Sequence, residues 1–337
     1  MINDFAARYL PDVDSFMRQV VDTFVPTDAS FDHLIRYPLG WINAQGEAEN
    51  APVGKRIRPL LVLLSCEAAG GNWKTALPAA AAVEFLHNFS LIHDDIQDNS
   101  EIRRSRPTVW KIWGSANAIN AGDAMFTLAY ISLQQLTKVV PASITLKVWD
   151  IFNRTNLDLT RGQHLDMRFE HEQSITIDAY LSMIAGKSAS LVAACAEIGA
   201  LIGSGSETVA QHFGAFGHNL GLAFQIRDDI LGIWGDPAIT GKSAATDILG
   251  RKKSLPVLFG LQRSERLAEI YRQDSLSEND VLEAVSVLNA LGADSFAEQT
   301  EKQYFSEAIA SLNAADVHGE AAVTLRALAS ALLSRDR

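Results

Sequence analysis

Apolar residues recur at three- and four-residue spacing along almost the whole chain, and no alternating run followed by hairpin-turn residues interrupts them. This pattern predicts an all-α protein. Helices are expected over about 2–24, 56–69, 75–98, 116–137, 141–170, 176–202, 206–234, 254–272, 278–292, 294–313 and 317–334. The ten prolines should mark helix boundaries, and none occurs from 142 to 236, where long uninterrupted helices are expected. Gly214, Gly217 and Gly221 fall along one face of the 206–234 helix. A glycine inside a helix costs about 1 kcal/mol relative to alanine, so close helix packing or substrate approach should be the reason. The stretch from Trp234 to Leu255, rich in Gly, Asp, Ser and Lys, reads as a surface loop carrying functional groups. With no linker, repeat or low-complexity segment, residues 1–337 are expected to form one domain, a single large helical bundle.

Composition narrows the class. A hydrophobic content of 47% over 337 residues is ample for a packed enzyme core. The net charge of −11 argues against nucleic acid or an anionic membrane as the main partner. Short basic clusters therefore stand out: Lys55-Arg56-Ile57-Arg58, Arg103-Arg104-Ser105-Arg106 and Arg251-Lys252-Lys253. Lys252 and Lys253 suit either a role near a functional group or an ordinary surface. Cys66 and Cys195 have no zinc-like or redox spacing and read as buried free thiols. The N-terminus lacks an uninterrupted apolar stretch, and the run from Leu191 to Ile202 is broken by Glu197. A cytoplasmic location without stable membrane insertion is expected.

Candidate chemistry centres on two acidic clusters. Asp94-Asp95-Ile96-Gln97-Asp98 follows an apolar run containing Val83, Phe85, Leu86, Phe89, Leu91 and Ile92, and Asp228-Asp229 follows Leu220, Leu222, Ala223, Phe224 and Ile226. On a helix, Asp94 and Asp98 share a face with Asp95 beside them, so their carboxylates can converge on one hard cation. Taken singly, such a motif also occurs on solvated helix faces and at caps. Two clusters, each at the mouth of an apolar segment, are expensive without a cationic partner. Magnesium, completed by substrate phosphates, is the natural occupant, and the pair reads as two jaws for a diphosphate.

These motifs, in order, resemble those of the trans-isoprenyl diphosphate synthases, the polyprenyl synthase family. The series runs Gly54-Lys55-Arg56-Ile57-Arg58-Pro59, Glu84-Phe85-Leu86-His87, the first aspartate cluster, Arg103-Arg104, Gly162-Gln163 with Asp166, and Gly186-Lys187-Ser188. It continues through Phe224-Gln225 with Asp228-Asp229 to Gly241-Lys242-Ser243 and Asp247. The resemblance implies a bundle of the isoprenoid synthase type around a central apolar cavity. It also implies a homodimer that joins isopentenyl diphosphate head-to-tail to an allylic diphosphate. Three Mg2+ ions are expected on Asp94, Asp95, Asp98, Asp228 and Asp229. Lys55, Arg58, His87 and Arg104 match the isopentenyl diphosphate site; Arg103, Lys187, Ser188 and Lys242 match contacts to the allylic diphosphate. Gln225 and Asp247 match positions around the metals, and Gln163 with Asp166 match the cavity near the forming cation. Singly, Lys55 and Arg58 read as a solvated helix start and His87 as a core histidine; order and spacing reverse that.

Product length should be set on the helix before the first cluster, where bulky Phe89 precedes small Ser90. By the resemblance to that family, this pattern implies geranylgeranyl diphosphate (C20), with farnesyl diphosphate or a longer polyprenyl diphosphate as alternatives. A class I terpene cyclase and a non-catalytic synthase subunit fit less well: the later Asn/Ser/Glu metal triad of cyclases is missing and the aspartates are kept. One departure stands out. Gly232 occupies the place of the third aspartate in the second motif, and Asp236 is the next carboxylate.

Overall fold

The computed structural model describes residues 2–25, 28–52, 54–172, 174–235, 245–273 and 275–333. Lys242 and Asp236 lie outside them. The helices are α1 (Ile2–Phe24), α2 (Ala29–Arg36), α3 (Ile57–Ala68), α4 (Leu77–Gln97), α5 (Val109–Trp113) and α6 (Ser115–Gln134). After these come α7 (Ala142–His171), α8 (Ile177–Ile184), α9 (Ser190–Ser204), α10 (Glu207–Trp234) and α11 (Thr246–Leu249). The chain closes with α12 (Leu255–Leu261), α13 (Glu265–Tyr271), α14 (Glu278–Ala290), α15 (Ala293–Ala314) and α16 (Glu320–Leu333). Short 3-10 turns precede α4 and follow α6. The all-α expectation holds, and most boundaries fall within two or three residues of those read from the periodicity.

The chain divides into two compact units, one of residues 1–149 with 198–210 and the other of 150–197 with 211–337. In the first, α4 is the core helix and packs chiefly along α6, with α1 and α3 also against it. Small side chains permit this: Ala79, Ala80, Ala81 and Ala82 on α4 and Ala118, Ala121 and Ala129 on α6 have no exposed surface. Pro78 opens α4 at a position where a missing N–H costs nothing.

The second unit has two apolar cores. Tyr180, Met183, Leu222, Ile226, Ile230, Leu255 and Leu258 build one. Ile233, Ile248, Val257, Leu267, Ile270 and Leu288 build the other. The glycine face of α10 serves close packing, as expected. A Cβ on Gly217 would stand 2.6 Å from the Val192 carbonyl, and one on Gly221 would stand 2.6 Å from the Ala189 Cα.

Four features differ from the expected pattern. Pro11 lies inside α1 rather than at its boundary. The 254–272 stretch breaks into α12 and α13, with Ser264 accepting the Leu267 N–H at 3.2 Å to start the second. A two-residue antiparallel pair, β1 (Ile102–Arg103) and β2 (Arg106–Pro107), makes a small hairpin where none was expected. Finally, the 176–202 helix is not uninterrupted: residues Ala185–Ala189 form one wide π turn. The Ile177–Ser204 run is long and apolar enough to cross a bilayer, yet 61% of its apolar window is buried within the protein.

Candidate active site

In the first unit, the β1–β2 hairpin aims two arginines. Its loop is Arg104-Ser105, with φ of 52° and 62°, the left-handed pair that a two-residue turn matching strand twist requires. Neither residue is glycine or asparagine, so the turn carries strain of order 1 kcal/mol or more per residue. Packing at the hairpin base holds it. Arg106 donates to the Ile42 carbonyl at 2.8 Å and the Tyr37 carbonyl at 3.0 Å, and Tyr37 donates to the Pro107 carbonyl at 2.7 Å.

Arg103, on β1, grips the first cluster. Its Nε donates to Asp95 Oδ1 at 2.7 Å and its Nη2 to Asp94 Oδ2 at 3.2 Å. Asp95 is buried; burial raises its carboxyl above the usual range, while Arg103 pulls it back. Asp98 is the C-cap of α4 and is exposed.

Arg104 sits over Gly54, where φ is +86° and a Cβ would meet the Arg104 Nη2 at 3.1 Å. The backbone conformation favours glycine there, and a side chain would press on the Arg104 guanidinium. Arg58, in the first turn of α3, places Nη1 3.2 Å from His87 Nε2 on α4. Burial, then the guanidiniums of Arg58, Arg104 and Arg103, hold His87 well below the ordinary histidine value, although its surface keeps some exposure. Arg104 is itself lowered, by burial and, against the pull of Glu84, by Arg103, Arg58 and Arg56. Beneath them Glu84 is 3% exposed and raised by burial, and Asn88 donates to its carbonyl at 2.8 Å. Lys55 is exposed, ahead of α3. Arg56 is committed elsewhere, to Asp14 at 2.8 Å.

A small cavity of about 50 Å³ opens beside these groups, lined by Asn88, Asp95, Arg103 and Arg104 among others. Phe89 does not stand alone. Its ring lies 5.1 Å from that of Phe126 on α6 and 4.8 Å from His93, and Phe126 continues to Tyr130 at 5.1 Å. Ser90 turns its hydroxyl to the His87 carbonyl at 2.8 Å.

In the second unit, the wide turn presents Lys187 and Ser188. The Ser190 N–H bonds the Ala185 carbonyl, five residues back. The carbonyl this skips, Gly186, is taken at 2.5 Å by the Ser190 hydroxyl. Lys187 reaches Asp166 on α7, at 2.5 Å from Nζ to Oδ2, and Gln163 lies a turn earlier on that helix. The approach is close because Gly162 has no side chain: a Cβ there would stand 2.1 Å from the Lys187 nitrogen.

Ser188 donates to Gln225 Oε1 at 2.6 Å, and Gln225 Nε2 donates to Asp229 Oδ1 at 3.3 Å. Asp229 has no exposed surface. Its other oxygen accepts from the Tyr180 hydroxyl and from the Leu255 N–H at 3.1 Å, and Lys252 Nζ lies 3.7 Å from Oδ1. Burial raises its carboxyl, against Lys252, Tyr180 and Leu255. Both Asp229 oxygens are thus engaged by protein groups; its neighbour Asp228 is half-buried.

Burial pulls the Lys252 ammonium down, but Asp229 and Asp247 outweigh it and hold it above the usual lysine value. Lys253 goes elsewhere, donating to the carbonyls of Phe169, Glu170 and Glu172 at the C-terminal end of α7. Sequence reasoning missed Tyr180. A tyrosine in an apolar helix needs a partner for its hydroxyl, which was the available signal. Among the described residues, no three His, Cys, Asp or Glu side chains gather closely enough to hold a metal unaided.

An all-helical protein with carboxylate pairs set among arginines and lysines is equipped to handle phosphate groups. The chain belongs to the polyprenyl synthetase family, whose model matches residues 41–288. It is 41% identical over 284 residues to a (2E,6E)-farnesyl diphosphate synthase of Mycobacterium bovis, covering 82% of this chain and 77% of that one. It is 38% identical over 281 residues to a geranylgeranyl diphosphate synthase of Mycobacterium tuberculosis, covering 82% and 79%. The crystal structure of a polyprenyl synthetase from Streptomyces coelicolor superposes with a TM-score of 0.90 at 34% identity, covering 99% and 100%. The chain is accordingly a transferase of the prenyl diphosphate synthase class.

Proposed function

We propose that the protein condenses isopentenyl diphosphate with an allylic diphosphate and delivers mainly geranylgeranyl diphosphate. One observation carries this reading. In an acidic chain, Arg58, Arg103 and Arg104 crowd together in a partly buried place where burial, and then the neighbouring guanidiniums, lower the proton affinity of Arg104, which favours a polyanion as their ligand. Arg58, Arg104 and Lys55 bind the five-carbon diphosphate beside a neutral His87. Arg103, Lys187 and Ser188 serve the allylic diphosphate.

The oxygen-only donor set of Asp94, Asp95, Asp98 and Asp228 fits magnesium, which uses one or two carboxylates, several waters and substrate phosphates. Bound there, magnesium supplies Lewis-acid pull on a leaving diphosphate. Asp229, with its oxygens engaged, serves as a post that orients Gln225 and Lys252. As the allylic carbon–oxygen bond breaks, Arg103 and Lys187 meet the growing charge on the diphosphate. The alkene of isopentenyl diphosphate then attacks, and loss of a proton to the departing diphosphate yields a trans product five carbons longer.

The Phe89 ring, backed by Phe126, supports a C20 limit. Named relatives include both farnesyl and geranylgeranyl diphosphate synthases, so farnesyl diphosphate is the second reading. Exposed Ile119 on α6 and Leu146 and Leu157 on α7 support a homodimer, and a cytoplasmic location accords with soluble substrates. Incubation with isopentenyl diphosphate and each of the C5, C10 and C15 allylic diphosphates, with and without Mg2+, tests this. We expect a C20 product only with the metal; no elongation from any starter would overturn the reading.

A further inference from the structure

We infer that Asp14, on α1, is a positioning residue for the isopentenyl diphosphate site, bracing the two segments that carry Lys55, Arg58 and Arg104. One carboxylate gathers three donors. Its Oδ1 accepts from Arg56 Nη1 at 2.8 Å and from Trp41 Nε1 at 3.0 Å, and its Oδ2 accepts from Arg18 Nε at 2.7 Å. The Arg18 guanidinium also lies over the Trp41 ring, 4.3 Å from its centroid. Burial works against the Asp14 charge, yet the bonds from Arg18 and Trp41 and the charge of Arg56 hold its carboxyl below the usual range. The group is a standing anion.

The first arm runs through Arg56, which stands between Lys55 and Arg58 in the chain. Its φ of 45° is left-handed, and its side chain makes no capping bond to α3. A residue other than glycine keeps that conformation only where its surroundings fix it. Asp14 is the fixing contact: the Arg56 side chain is 9% exposed, and its Nε is buried without a hydrogen-bond partner among the described residues. Leu10, Pro11 and Gly54 line an open cleft of about 540 Å³ there, so α1 reaches this segment by polar contact rather than by close apolar packing. The second arm runs through Trp41, which is 4% exposed. The carbonyl of its neighbour Ile42 accepts from Arg106 Nη2 at 2.8 Å, and Arg106 belongs to the hairpin whose loop carries Arg104. The arms meet where Arg104 sits over Gly54. Acting through Arg56 and Trp41, the carboxylate sets the spacing of the cations that face the diphosphate. This rests on the reading of Lys55, Arg58 and Arg104 as the five-carbon diphosphate site.

The test measures, on full-length variants, KM for isopentenyl diphosphate, KM for the allylic diphosphate and kcat, beside melting temperature. Asp14→Asn keeps the shape and removes the charge. It should raise KM for isopentenyl diphosphate roughly 5–20-fold and leave kcat and the allylic KM within about twofold. Arg56→Gln should do the same, and the double variant should be no worse than either single one, because both cut one link. Tyr9→Phe is the comparison for a merely structural effect: Tyr9 donates to Glu67 at 2.6 Å and ties α1 to the far end of α3 from Arg58. It should lower the melting temperature and leave all three kinetic constants alone. An unchanged KM for isopentenyl diphosphate in folded Asp14→Asn, a rise shared equally by both substrates, or an equal rise in Tyr9→Phe would overturn the inference. Should Asp14→Asn fail to fold, Arg56→Gln makes the same comparison from the other side of the pair. Arg58→Ala separates this inference from the reading beneath it. If Arg58→Ala raises KM for isopentenyl diphosphate and Asp14→Asn does not, this inference falls alone; if Arg58→Ala leaves that KM unchanged, the site assignment falls and takes this one with it.

Discussion

The Arg58 guanidinium meets the imidazole of His87 with 3.2 Å between Nη1 and Nε2. Arginine can only donate, so Nε2 accepts and the neutral ring carries its proton on Nδ1. Burial and three arginines keep it neutral. In the unfolded chain the ring titrates near 6.5, so below that pH the unfolded state takes up a proton that the folded state refuses. Stability should therefore fall as pH drops through about 6.5 and below. His87→Gln should flatten that part of the profile, read as melting temperature at a series of pH values; an unchanged slope would count against a depressed histidine.

The same pair predicts a kinetic asymmetry. Arg58→Ala should raise KM for isopentenyl diphosphate far more than KM for the allylic partner, because Arg58 meets His87 while Arg103 grips Asp94 and Asp95. Equal rises on both substrates would refute the division of labour.

Asp228 and Asp229 should separate on substitution although they are adjacent. Asp94→Ala and Asp228→Ala should each cost on the order of 10³-fold in turnover with the fold intact. Asp229→Ala, by contrast, strands the Tyr180 hydroxyl and the Leu255 N–H in the interior. It should destabilise by about 1–3 kcal/mol or more. Chemical denaturation alongside turnover distinguishes the two behaviours, and equal stability of all three variants would be the contrary result.

Phe89 leans on Phe126 at 5.1 Å, so the two should act on product length together. Phe89→Ser should shift products to C25 or longer, and Phe126→Ala should do so to a smaller extent by letting the Phe89 ring tilt. Chromatography of the products decides this. If both folded, active variants keep the parent distribution, the limit lies elsewhere.

Periodicity revealed the long helices because each buries a stripe sustained over several turns. It could not reveal α2, α5 and α11, which at eight, five and four residues are too short to show a period. The hairpin was hidden because its loop is Arg104-Ser105 rather than a glycine or asparagine pair. The expected 2–24 helix does run through Pro11, an exception to prolines as boundary marks, because tertiary packing of Phe5, Tyr9, Val13 and Met17 carries α1 past it. At the site, charge and order exposed the aspartates and arginines. Which of Asp228 and Asp229 is committed to Tyr180, and that Asp247 lies against Gly232, depend on contacts across turns and loops that a linear motif does not encode.

The wide turn at 185–189 has a consequence for the register of the whole helix. An α-helix advances about 100° per residue, so one residue of slack sets everything after it on a new bearing. Gly162 is matched to the Lys187 nitrogen at the turn itself, while Gly221 and Gly217 are matched to Ala189 and Val192 at and beyond its end. Deleting a single residue there would regularise the hydrogen bonds and still rotate one set of contacts away from its partners. Local regularity is given up so that two faces, each fitted to its own neighbour, can belong to one continuous rod. A change of length here would therefore disturb the packing of both faces at once.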